Sequence, residues 1–146
     1  SIGYALGNFA SARFSIRVGM NRMILLGALI CALALTVALA LDLTGHHEPL
    51  VFFGAVACMG LGNGMLLPNA NAGMMSVRPE LAGTASGLGG AMSVAGGAGL
   101  AALSGAFLHE GATAAPLLVI MAGSAGGSVL AILWVLWRER QIIQGR

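Results

Sequence analysis

Polar and apolar positions in this chain fall into long blocks. Residues 23–41, 49–77, 81–108 and 111–137 contain no Asp, Glu, Lys, Arg or His. A helix needs about 20 apolar residues to cross the hydrocarbon core of a bilayer, and each block supplies roughly that number or more. Residues 1–12 are also uncharged and run into a basic segment at 13–22, so they read as the last turns of a further helix. The pattern predicts helices near 1–12, 23–41, 49–75, 82–108 and 116–137, followed by a short tail over 138–146. Gly45 and Pro49 punctuate the first polar segment, and Pro79 and Pro116 the later ones. The expected fold class is an all-α membrane protein, with about four full transmembrane helices plus the end of a fifth.

Charge gives the orientation. Hydrophobic residues make up 58% and charged residues 8% of the chain, against about 25% charged in an average soluble domain, which excludes a soluble fold. There is no Lys, and the basic residues are Arg13, Arg17, Arg22, Arg78, Arg138, Arg140 and Arg146. Threading the chain through a bilayer puts all of them on one side. Asp42, His46, His47, Glu48, His109 and Glu110 fall on the other. Basic residues are retained in the cytoplasm, so the segments 13–22 and 76–81 and the tail from 138 are expected there. The chain starts at Ser1, and its basic segment follows the first apolar run instead of preceding it as in a signal peptide. The expectation is a C-terminal piece of a longer protein, beginning inside a span.

The predicted helices differ in kind. The one at 23–41 has a single interior glycine, Gly27, and is expected to face lipid. Those at 49–75, 82–108 and 116–137 are dense in Gly. Gly3/Gly7, Gly60/Gly64, Gly83/Gly87 and Gly123/Gly127 have the four-residue spacing that lets helix backbones approach closely. They serve static packing, or they let helices bend and slide. Gly83 and Gly87 are expected to bring the third and fourth predicted helices together. Pro68 interrupts the third, flanked by Asn63, Asn69 and Asn71. Such groups are costly against lipid and point to a protein interface or a water-filled cavity. Trp134 and Trp137 suit the membrane interface at the end of the last helix.

Little else in the chain suggests chemistry. His46, His47 and Glu48 form one short exposed cluster without a fourth metal ligand. Cys31 and Cys58 lie inside apolar runs and predict neither a disulfide nor a metal site. No nucleophile–base pair and no phosphate loop is visible, and no aromatic residues interleave with the arginines. No enzyme activity, catalytic residue, metal, cofactor or nucleic-acid partner is expected. Proton relays through a membrane need ionisable side chains, and the predicted spans contain no acidic, basic or His residue.

Two segments carry a resemblance. Arg17-Val18-Gly19-Met20-Asn21-Arg22 resembles the second copy of the basic loop motif, R-x-G-x-x-R, of the major facilitator superfamily. Ile16 stands where the fullest motif has an acidic residue, so a charge pair there does not carry over. The stretch 62–72, followed by Pro79-Glu80-Leu81-Ala82-Gly83-Thr84-Ala85-Ser86, is similar to drug:proton antiporters of the bicyclomycin-resistance (Bcr/CflA) type. The resemblance covers essentially the whole chain and implies the C-terminal part of a twelve-helix fold, from the eighth helix to the twelfth. It implies two six-helix halves with the substrate site between them, and a cavity lined by the seventh, eighth, tenth and eleventh helices.

The function implied is proton-coupled multidrug efflux by alternating access, in a bacterial inner membrane, with the proton-carrying groups in a missing N-terminal half. The expected partners are a small amphipathic substrate, the lipid bilayer and that missing half. Candidate cavity residues are Tyr4, Asn8, Asn63, Asn69 and Asn71, with Met59, Met65 and Met92 as adaptable apolar surface. Arg17, Gly19 and Arg22 form the loop motif; Pro68, Gly83 and Gly87 are packing or hinge positions. A facilitator that imports a metabolite, and a membrane anchor or assembly subunit without transport, are the competing readings.

Overall fold

The computed structural model describes residues 1–45, 48–107 and 115–144. Five helices follow in chain order: α1 (Ile2–Val18), α2 (Met20–Leu43), α3 (Pro49–Val77), α4 (Ala82–Phe107) and α5 (Ala115–Gln144). A single 3-10 turn, Pro79–Leu81, joins α3 to α4. Four helical segments are long and apolar enough to span a membrane: Met20–Leu43, Pro49–Val77, Pro79–Ala106 and Pro116–Ile142. The chain is an all-α membrane protein.

The helices overrun their expected ends. α1 continues past Ala12 to Val18, so the expected basic loop shrinks to one residue, Gly19, between two helices. Gly19 has φ 93° and ψ 144°, a conformation open essentially to glycine alone. Arg17 therefore lies in the last turn of α1 and Arg22 in the first turn of α2. The expected tail from 138 is helical through Gln144. α5, with its 30 residues, reaches about 45 Å at 1.5 Å per residue. That exceeds a hydrocarbon core of about 30 Å, so α5 is longer than the apolar layer is thick.

α3 is the centre of the bundle. It packs against α1 on one side and α2 on another, and α2 also packs against α5. Glycine determines both close contacts of α3. A Cβ on Gly7 would strike the Leu61 carbonyl and come within 2.9 Å of Gly64 Cα, and one on Gly64 would strike the Tyr4 carbonyl. The pairs Gly3/Gly7 and Gly60/Gly64 thus interlock between α1 and α3. Between α2 and α3, a Cβ on Gly27 would stand 2.5 Å from the Gly62 carbonyl oxygen.

Two expectations are corrected here. α2 is not a plain lipid-facing helix: Met23, Gly27, Ala28, Cys31, Leu35 and Ala38 are all buried. Its Leu35 and Ala38 form the apolar core with Ala55 of α3 and Leu118 and Ala125 of α5. Gly83 and Gly87, expected to bring α3 and α4 together, have nothing within 4 Å of where a Cβ would stand. α3 and α4 meet instead near their shared turn, where Met74 lies against Gly89. The surface of α4 is almost entirely uncovered, with Ser104 its one buried residue among those described.

Candidate functional site

The polar groups of α1 and α3 converge on one side of their glycine contact. Asn8, Ser11 and Ser15 recur at i, i+3 and i+7, one face of a helix. Ser11 is buried at 4% exposure and Asn69 at 5%. Asn69 Nδ2 donates to Ser11 Oγ at 2.7 Å and to the Met65 carbonyl at 2.7 Å. Ser15 Oγ in turn donates to the Ser11 carbonyl. Pro68 sits beside this network inside α3 and leaves the Gly64 carbonyl without its helical donor. Asn69 thus ties α1 to α3 next to the interrupted turn. A cavity of about 690 Å³ opens here, lined by Asn8, Ser11, Ser15, Pro68 and Asn69 among others.

The other candidates scatter. Asn63 turns toward α2, where its Oδ1 accepts from Cys31 Sγ at 3.8 Å. With Met59, Met121, Ser124 and Ser128 it lines a separate cavity of about 160 Å³ among α2, α3 and α5. Met65 is buried, and Asn71 is exposed. Tyr4 has an exposed side chain, and its carbonyl accepts from Asn8 Nδ2 at 3.1 Å. Met92 lies on the uncovered surface of α4. Sequence reasoning missed Ser11 and Ser15, although their spacing from Asn8 is a legible signal. It also missed Ser124 and Ser128, whose facing depends on where α5 docks.

At the other end of the polar face the basic residues gather. Arg17 lies in the last turn of α1, Arg22 in the first turn of α2, and Arg138 and Arg140 in the last turns of α5. Asn21 Nδ2 donates to Glu139 Oε2 at 2.9 Å and holds the end of α5 against the start of α2. A Cβ on Gly73 would lie 3.4 Å from Met20 Sδ, so α3 also ends here, one residue before Arg78. The opposite-end residues His46, His47, His109 and Glu110 lie outside the described residues, as does Arg146. Among the described residues no group of three or more His, Cys, Asp or Glu side chains is placed to hold a metal.

The model of the Major Facilitator Superfamily matches residues 1–144. The chain belongs to the major facilitator superfamily. It is thus a multi-pass membrane chain of a family of transporters. No curated protein and no solved structure matches it. Within this superfamily chain, the cavity beside α1 and α3 is the site that combines volume with buried polar groups.

Proposed function

We propose that this chain forms part of the C-terminal half of a secondary transporter that exports small amphipathic compounds in exchange for protons, by alternating access. The observation that carries the reading is the run Pro79-Glu80-Leu81-Ala82-Gly83-Thr84-Ala85-Ser86, with its resemblance to bicyclomycin-type antiporters. The α1–α3 cavity supports it. Its lining mixes Asn8, Ser11 and Asn69 with Ile16, Met20 and Pro68, a surface suited to molecules with both apolar and polar parts. The Arg-bearing end is the cytoplasmic one in this reading, and the missing half covers α4.

No Asp, Glu, His, Lys or Arg lies in the membrane-spanning middle of any described helix, so the proton is carried by groups outside this chain. The test is a panel of drug susceptibilities in cells expressing the full-length transporter with Asn8→Ala, paired with drug-induced proton release in vesicles. The exported set of compounds should change while proton release persists for at least one tolerated drug. Loss of proton release with unchanged drug binding would place the relay in this chain and refute the assignment.

A further inference from the structure

At the Arg-bearing end, the α1–α2 turn and the last turns of α5 enclose a groove of about 450 Å³. Gly19, Asn21 and Arg22 line it on one side; Leu136, Glu139 and Arg140 line it on the other. Its polar wall is positive. Glu139 is the one carboxylate in the lining and accepts from Asn21 Nδ2. Among the described residues, neither Arg22 nor Arg140 has a hydrogen-bond or ion-pair partner. Two guanidinium groups from different helices thus face one space with a single carboxylate, Glu139, beside them, and the lining keeps a net positive charge. The first N–H groups of α2 open toward the same turn, with no side chain capping them.

The rest of the lining selects the ligand. Val18, Met20 and Leu136 add an apolar wall. Trp137, exposed on α5 one residue before Arg138, belongs to the depth where headgroups meet acyl chains. A small soluble anion would use only the guanidinium groups. A molecule with a phosphodiester head and apolar chains would use both walls. We propose that this groove binds the headgroup of an anionic phospholipid, with Arg22 and Arg140 clasping the phosphate. The lipid then joins the end of α5 to the α1–α2 turn, alongside the Asn21–Glu139 bond. The proposal needs only that the chain sits in a membrane and does not depend on what it transports.

The test uses the full chain in detergent, titrated by native mass spectrometry with phosphatidylglycerol, phosphatidylcholine or inorganic phosphate. Phosphatidylglycerol should be retained in preference to phosphatidylcholine. Arg22→Gln with Arg140→Gln should lower its apparent affinity by about 25-fold, at about fivefold per guanidinium near an anionic headgroup. Arg13→Gln, outside the groove, should leave the affinity within about twofold, because screening limits distant charges. Glu139→Gln, which removes the one negative charge, should raise the affinity, and this variant does not depend on the fold of the double variant. Equal retention of both lipids, an equal loss in Arg13→Gln, or no gain in Glu139→Gln would overturn the site. So would displacement of phosphatidylglycerol by an equal concentration of inorganic phosphate, which would mark a soluble-anion site.

Discussion

Gly64 and Asn69 sit five residues apart on α3 and do opposite things at the same interface. Gly64 brings α1 close because it has no side chain; Asn69 holds α1 because its amide reaches Ser11. Gly64→Leu and Gly27→Leu should each destabilise the purified protein by about 1–3 kcal/mol or more, the range for overpacking a tight contact. Gly83→Leu, in this chain by itself, should leave stability within about 0.5 kcal/mol, as for a surface substitution, because its Cβ position is open there. Thermal unfolding in detergent checks the ranking, and equal losses at all three would show that the close contacts are not limiting. Asn69→Ala should cost about 0.6 kcal/mol and at most about 1.7, the measured span for interhelical hydrogen bonds in membranes. Its polarity was legible in the sequence. Its duty was not, since that depends on Ser11, 58 positions away.

At the scale of elements, the differences from expectation lie at helix ends. Charge blocks mark where a helix leaves the hydrocarbon layer, not where its hydrogen bonding stops. α1 therefore runs through Arg13 and Arg17, and α5 through Arg138 and Arg140. Arg17, at the C-terminus of α1, has the sign that the helix dipole favours. The break between α1 and α2 then rests on one backbone conformation. Gly19→Ala should destabilise the turn by about 1–3 kcal/mol, the cost of holding a non-glycine residue in such a region. Space is not the obstacle, because nothing lies within 4 Å of the Gly19 Cβ position. Protease sensitivity near residue 19 should rise in the Gly19→Ala protein and stay unchanged in Val18→Ala. Equal sensitivity in both would mean that the positive φ is not a constraint.

For the whole molecule, α3 is buried by two neighbours while α4 has almost none within this chain. In the proposed transporter α4 gains its cover from the other half. Single Cys residues at 86 or 87, in an otherwise Cys-free full-length protein, should then cross-link to that half and not to α3. Cross-links only to lipid-soluble reagents would leave α4 facing the bilayer. Orientation has its own test: Cys at 48 should react with an impermeant thiol reagent from outside intact cells, and Cys at 78 should not. The reverse pattern would invert the chain. The number of apolar spans was readable from the sequence, because a bilayer imposes a length on any chain that crosses it. The resemblance of residues 17–22 and 62–88 pointed to the superfamily that the family comparison then established. Which helices touch was not readable. The four small-residue pairs look alike in sequence, yet Gly3/Gly7 and Gly60/Gly64 interlock while Gly83/Gly87 and Gly123/Gly127 remain open. In lipid no apolar stripe marks an inward face, since both faces of a helix are apolar. Only the packed arrangement decided that α2 is buried, that Asn69 meets Ser11, and that Arg22 and Arg140 share one groove.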